Sequence, residues 1–121
     1  VKLLTKPARM RQVYSQADLI ICHAGHGVIA AALLNGKRML LIPDQLEQSI
    51  LTLRLTQQRL VMAVNPQIKN GNYPLAIEAA LTSRELAENV LIFKSKYADF
   101  NETQQINRLV EICESLINSS N

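Results

Sequence analysis

The residues best suited to chemistry lie in one stretch, Cys22-His23-Ala24-Gly25-His26-Gly27. An apolar run precedes it and another follows, which is typical of a turn between a buried strand and a helix. Gly25 and Gly27 are expected to let the backbone turn tightly and approach a ligand. The first N–H groups of a helix, expected here at residues 27–29, attract anions. An imidazole beside them adds a hydrogen-bond donor. The stretch predicts a diphosphate site formed by His23, Gly25, His26, Gly27 and Val28.

A second polar group follows Pro43, where the sequence reads Asp44-Gln45-Leu46-Glu47-Gln48. A carboxylate accepts hydrogen bonds from hydroxyls, and a neighbouring amide both donates and accepts, so an acid–Gln pair suits a polyol. The alternative is a solvated loop leading into a helix whose dipole favours an acidic first turn.

A parallel sheet is the element that would position both groups. The apolar patterns predict strands at residues 1–4, 18–22, 39–42 and 60–64, and helices at 8–16, 28–35 and 48–59. Strands that alternate with helices indicate βαβ units, and ligands bind at the carboxyl ends of such strands. The expected fold is therefore α/β and Rossmann-like, with about four parallel strands flanked by helices. The strand at 18–22 is expected to be covered on both faces.

The rest of the chain reads as a helical tail. After a loop at 65–73, helices are predicted at 74–81, 83–97 and 102–117. Ser83 and Asn101 have the side chains of N-caps, and Gly36 suits the end of an earlier helix.

Composition excludes several classes of protein. The 121 residues are 48% hydrophobic and 19% charged, which predicts one folded domain over residues 1–121. Eight basic and three acidic residues lie in 1–60, against five and seven in 61–121, and no patch is dense enough for nucleic acid. The longest apolar run is too short to span a membrane, and no export signal is visible. With only two cysteines we expect the cytoplasm, and because the sequence starts at Val1 we expect a fragment of a longer chain.

A metal site formed by Cys22, His23, His26 and Cys113 is the competing interpretation of the central stretch. Adjacent residues on a strand point to opposite faces, so Cys22 and His23 diverge. The same divergence argues against a Cys–His catalytic pair. We expect no metal, and we expect both cysteines to be core residues.

The segment from residue 17 to 64 resembles the nucleotide-sugar-binding half of GT-B glycosyltransferases. The likeness is greatest to UDP-glycosyltransferases and the related cell-wall N-acetylglucosaminyltransferases. It rests on His23-Ala24-Gly25, on the run from Asn35-Gly36 to Pro43, and on Glu47-Gln48, with Pro7-Ala8 upstream. The fold that the resemblance implies is a partial GT-B C-terminal domain.

The resemblance implies a role for each matching residue. His23 would contact the donor diphosphate, Gly25, Gly27 and Val28 would offer backbone N–H groups, and no metal would be needed. Glu47 and Gln48 would hold hydroxyls of the transferred sugar.

Four positions depart from the resembled family. It usually has Ser or Thr at Val28, a ribose-binding Glu at Ala31, a base-stacking aromatic at Thr5 and a base-reading Gln at Ala8. Only weak nucleoside contacts are therefore expected from Thr5 and Ala8.

The expected function is the donor-binding portion of a glycosyltransferase that uses a nucleotide diphosphate sugar. In the resembled family the base comes from an N-terminal acceptor domain, so no catalytic residue is expected in this chain, and Leu109, Val110 and Leu116 of the last helix would cover that partner. The alternative is a non-catalytic nucleotide-sugar-binding module that acts with a partner subunit. A ligand-free Rossmann-like domain or an epimerase fragment is a third interpretation.

Overall fold

The computed structural model describes residues 3–66 and 71–119. They form an α/β fold with a parallel sheet and a helical C-terminal part, as the sequence predicts. The elements in chain order are α1 (Met10–Gln16), β1 (Leu19–Cys22), α2 (His26–Leu34), β2 (Arg38–Leu41), α3 (Leu46–Gln57), β3 (Met62–Ala63), α4 (Tyr73–Thr82), α5 (Arg84–Lys96) and α6 (Glu102–Ser119).

Within the described residues the sheet has three parallel strands in the order β1-β2-β3. Right-handed crossovers in this order place α2 and α3 on the same face. The expected fourth strand at residues 1–4 is wrong for Leu3 and Leu4, which are 84% and 54% exposed and belong to no strand. These side chains have no packed layer against which a strand would gain stability. Residues 1 and 2 lie outside the described part of the chain.

The hydrophobic core lies on one face of β2. Met39 and Leu41 are fully buried there, and their register partners Ile20 and Cys22 pack against the same cluster. On the other face α4 packs against β2 and β3. Ile21 of β1 points to that face and is 46% exposed. The expectation that this strand is covered on both faces is therefore wrong, because α4 lies mainly over the other two strands.

Two helices end in the same backbone motif. After α2 the N–H groups of Gly36 and Lys37 donate to carbonyls of the last helical turn, at 3.0 and 2.9 Å, and Gly36 adopts a φ of +67°. After α3 the left-handed residue is Arg59, at a φ of +58°. Its guanidinium pairs with Glu85 at 2.6 Å, and its carbonyl accepts from the Asn89 amide at 3.0 Å. α5 thus holds a side-chain-bearing residue where glycine is the usual choice.

Side-chain caps begin the C-terminal helices. Ser83 accepts from the N–H of Leu86, and Asn101 accepts from the N–H of Gln104, as the sequence predicts. Every described residue of α6 is exposed. Its apolar side chains include the predicted partner contacts, and the most exposed of its large ones are Ile106, Leu109, Leu116 and Ile117.

Gly36→Ala should lower the melting temperature, whereas Gly27→Ala should leave it unchanged or raise it. A Cβ at Gly36 would lie 3.0 Å from Lys94 Cδ and 3.3 Å from Leu91 Cδ2, on a left-handed backbone. The expected loss is about 1–2 kcal/mol. A Cβ at Gly27 meets nothing within 4 Å, and alanine favours a helix. Thermal unfolding of both variants tests this, and equal melting temperatures would contradict it.

Candidate functional site

The beginning of α2 is the feature around which the candidate site is built. Its N-cap is Gly25, which has no side chain to accept a hydrogen bond from the first helical N–H groups. Within the described residues, the first N–H of α2 with a backbone acceptor belongs to Ile29, which donates to the Gly25 carbonyl at 3.0 Å. The expected unpaired set at residues 27–29 is therefore wrong by one position. The groups available to an anion are those of His26, Gly27 and Val28.

The sharp turn between β1 and α2 falls on Ala24 rather than on a glycine. Ala24 adopts a φ of +71° and is buried, whereas Gly25 has an extended backbone with a φ of −71°. The expectation that Gly25 and Gly27 supply the turn is therefore wrong, because the left-handed residue is Ala24. What these glycines provide is space, because a Cβ built on either of them meets no atom within 4 Å.

The His23 imidazole is exposed at the end of β1, and the neighbouring strand fixes its orientation. Its Nδ1 lies 3.1 Å from the carbonyl oxygen of Ile42, the residue that follows β2. A carbonyl can only accept, so this contact assigns the proton of the ring to Nδ1. Nε2 is the ring nitrogen left to meet a ligand, and it donates to a phosphate oxygen only when the ring carries both protons.

Glu47 and His26 come from the first turns of two successive helices. Glu47 Oε1 lies 4.0 Å from His26 Nδ1, and the two side chains are 80% and 67% exposed. An exposed pair of this kind contributes little to stability. The structure thus places His26, predicted to contact the diphosphate, beside the predicted sugar contact.

The Gln48 side chain stabilises the loop at the start of α3. Its Oε1 accepts hydrogen bonds from the N–H groups of Asp44 and Gln45, at 2.9 and 3.2 Å. These bonds fix the loop that follows β2. The side-chain NH₂ of Gln48 is the half of the amide that a sugar oxygen could use.

The two residues predicted for the nucleoside lie in one groove. Thr5 and Ala8 line it together with Lys6, Arg9 and α1. Lys6, which no sequence motif marks as functional, adds a cation to this groove that suits an anionic ligand.

The residues of the competing metal interpretation differ in where they lie. Cys22 faces the core and His23 is exposed, as strand alternation predicts, but Cys113 lies exposed on α6 and not in the core. The apolar side chains of α6 are exposed in the described chain. The prediction that Cys113 lies in the core is therefore wrong. Among residues 3–66 and 71–119, no three His, Cys, Asp or Glu side chains are grouped so as to hold a metal ion.

Comparison with protein families identifies the family of this domain. Residues 3–109 match the model of the glycosyltransferase family 28 C-terminal domain. The chain belongs to this family. The match covers the described sheet, α2 with its exposed N-terminus, and the Glu47–Gln48 segment.

Solved structures show the same fold for this family 28 domain. The glycotransferase of kitacinnamycin superposes with a TM-score of 0.66 at 20% identity, over 82% of this chain and 26% of its own. The spinosyn forosaminyltransferase gives a TM-score of 0.69 at 13% identity, over 92% of this chain and 34% of its own. The chain thus spans about a quarter to a third of these GT-B proteins. A search of curated proteins gave no match.

One further finding concerns membranes: none of the helices in the described ranges is long and apolar enough to cross one.

The orientation of His23 in the family 28 domain can be tested directly. Nitrogen-15 NMR of the imidazoles should show the Nδ1–H tautomer for neutral His23, because the Ile42 carbonyl accepts that proton. The exposed His26, whose Nδ1 bonds to no carbonyl of the described chain and lies 4.0 Å from Glu47 Oε1, is the internal comparison. A neutral His23 with its proton on Nε2 would contradict the assignment.

Proposed function

We propose that this domain is the donor-binding portion of a glycosyltransferase that transfers a sugar from a nucleotide diphosphate sugar. The observation that carries the proposal is the exposed N-terminus of α2 with the His23 imidazole beside it, at the carboxyl ends of parallel strands. UDP-sugars are the donors that the resemblance to UDP-glycosyltransferases and N-acetylglucosaminyltransferases favours.

The diphosphate would bind over the first turn of α2. The N–H groups of His26, Gly27 and Val28 point out of the helix start, and the open space beside Gly25 and Gly27 admits phosphate oxygens. Protonated His23 would donate from Nε2. Together they would offset the negative charge of the departing diphosphate, a task that a divalent metal performs elsewhere, so we propose that no metal is required.

The transferred sugar would lie against the beginning of α3. Glu47 would accept hydrogen bonds from sugar hydroxyls, and the NH₂ of Gln48 would donate to one. The nucleoside would lie toward the groove of Thr5 and Ala8. Because Ala31 offers no polar atom where the family has its ribose-binding Glu, we expect nucleoside contacts to add little affinity.

The reaction would need a second domain or subunit. We propose that residues 1–121 form one domain of a longer cytoplasmic protein, whose N-terminal part binds the acceptor and supplies the base for an inverting transfer. The exposed apolar face of α6, with Leu109, Val110 and Leu116, supports a further protein surface that packs against it. We therefore expect the isolated chain to be inactive.

A non-catalytic binding module is the second candidate. It is favoured by Val28 and Ala31, neither of which has a hydroxyl or carboxylate for the donor. Such a module would bind the nucleotide sugar in the same place and act only with a partner subunit.

His23→Ala should weaken the binding of UDP by about tenfold or more, because it removes a hydrogen bond to a charged oxygen. Calorimetry measures the affinities. His26→Ala is the matched control and should cause a smaller loss. No heat with any nucleoside diphosphate, from folded protein, would refute the diphosphate site.

Glu47→Gln should weaken the binding of UDP-N-acetylglucosamine more than that of UDP. The substitution keeps the shape of the side chain but removes the charge that strengthens its bonds to hydroxyls, an effect of about fivefold. Parallel titrations with the two ligands separate the contribution of the sugar to the binding free energy from that of UDP. Equal losses for both would remove Glu47 from the sugar contacts.

A further inference from the structure

The proposed sugar contact belongs to a cavity that continues along α3. The cavity has a volume of about 330 Å³, within the range of sites for small molecules. Its lining includes His26 at the beginning of α2, Glu47 at the beginning of α3 and, two helical turns after Glu47, Arg54. A ligand in this cavity that contacts Glu47 therefore also lies near a positive charge to which the proposed function gives no role.

The positive charge of Arg54 is available to a ligand. Arg54 is exposed, and among the described residues its guanidinium has no hydrogen-bond or ion-pair partner. The carboxylate of the same cavity, Glu47, lies 4.0 Å from His26 instead. Arg59, the next arginine along the chain, differs because it pairs with Glu85 at 2.6 Å. An anionic group in the cavity would thus meet a guanidinium that no carboxylate of the described chain already holds.

The spacing of Glu47 and Arg54 suits a monosaccharide. Seven residues of an α-helix rise by roughly 10 Å and return to the same face. Side chains on a helix lean toward its N-terminus, so the long side chain of Arg54 leans toward Glu47 and shortens the gap between the two charged groups. A sugar ring that donates hydroxyls to Glu47 can therefore present a further substituent to Arg54.

The wall between the two charged residues is apolar and open. Ile50 lies on α3 between them and is 47% exposed, and Leu46 at the same cavity is 78% exposed. Sugar rings have apolar C–H faces, and burying such a face against these side chains is favourable. The cavity thus offers a hydroxyl acceptor, an apolar wall and a cation in succession.

The combination of these groups selects the chemistry of the ligand. A guanidinium binds a carboxylate through two parallel N–H···O bonds. A simple anion would use Arg54 but would gain nothing from Glu47, whose charge repels it. A uronic acid has hydroxyls for Glu47 and a carboxylate for Arg54. We infer that this cavity binds a sugar that carries a carboxylate, and that Arg54 is the residue that selects it. The inference rests on the proposed function, in which Glu47 contacts the sugar.

Two pairs of probes test the inference on the whole chain. UDP-glucuronic acid and UDP-glucose differ in the carboxylate of the sugar, and calorimetry should show about fivefold tighter binding of the former, as for a favourable charge pair that solvent reaches. This preference should fall when about 0.5 M sodium chloride screens the charges. Methyl glucuronide and methyl glucoside lack the nucleotide. In proton–nitrogen NMR titrations, methyl glucuronide should bind more tightly and shift the amides of residues 26 and 46–54.

Matched variants separate the role of Arg54 from that of charge in general. Arg54→Gln should abolish both preferences and leave the affinity for UDP unchanged, because UDP carries no sugar to reach this part of α3. Arg54→Lys keeps the charge but not the two parallel bonds, so it should retain part of the preference. Arg84→Gln removes an arginine at the beginning of α5, outside the cavity, and should retain all of it. Because Arg54 is exposed, its variants should melt at the temperature of the unmodified chain.

Several results would overturn the inference. They are equal binding within both pairs of probes, a preference that survives in Arg54→Gln, and a preference that is lost in Arg84→Gln. Equal shifts of the same amides by acetate would overturn it too, because they would indicate a site for anions of any kind. A preference confined to the methyl glycosides would assign the carboxylate to a sugar of the acceptor. A chain that fails to bind UDP still permits the glycoside titrations, so failure of this inference and failure of the proposed function are distinguishable.

Discussion

The candidate site depends on the hydrogen-bonding needs of the first turn of α2. An α-helix cannot satisfy its first N–H groups internally, and a glycine at the N-cap leaves that need to a ligand or to water. Gly25 occupies the N-cap, so the N–H groups of His26, Gly27 and Val28 remain directed outward. The left-handed conformation of Ala24 turns the chain sharply between β1 and the helix, and the burial of its methyl group helps to hold that turn in place.

Strand β2 connects the two halves of the site. Its central position buries Met39 and Leu41 in the core, which fixes where the carboxyl end of the strand lies. The carbonyl of Ile42 then orients His23 from the side. A few residues later the Gln48 side chain fixes the loop by accepting from Asp44 and Gln45. The His23 imidazole and the backbone that carries Glu47 are therefore both positioned by β2 and the loop that follows it.

Helix α3 has different surroundings on its two sides. Glu47 lies toward His26 and the beginning of α2, whereas Ser49, Thr52 and Thr56 line a cavity next to β3. The helix thus separates a charged, exposed region from a mostly apolar one with a buried hydroxyl. α6 is a further contrast, because its apolar side chains remain exposed although those of the other helices contribute to the core.

The sequence by itself determined the parallel α/β fold, the caps at Ser83 and Asn101, and the approximate position at which α2 begins, because these follow from local periodicity and capping chemistry. It could not determine which residue adopts the left-handed conformation, since both nearby glycines were equally suitable. In the structure this residue is Ala24, whose methyl group is buried. Only the tertiary structure shows that the Ile42 carbonyl bonds to His23, that His26 lies beside Glu47, and that β3 lies next to the side of α3 that carries Ser49, Thr52 and Thr56. Such contacts depend on strand register and helix placement, which pair residues that are far apart in the chain. For the same reason, the exposure of Ile21 and Cys113 could not be predicted from their apolar neighbours in sequence.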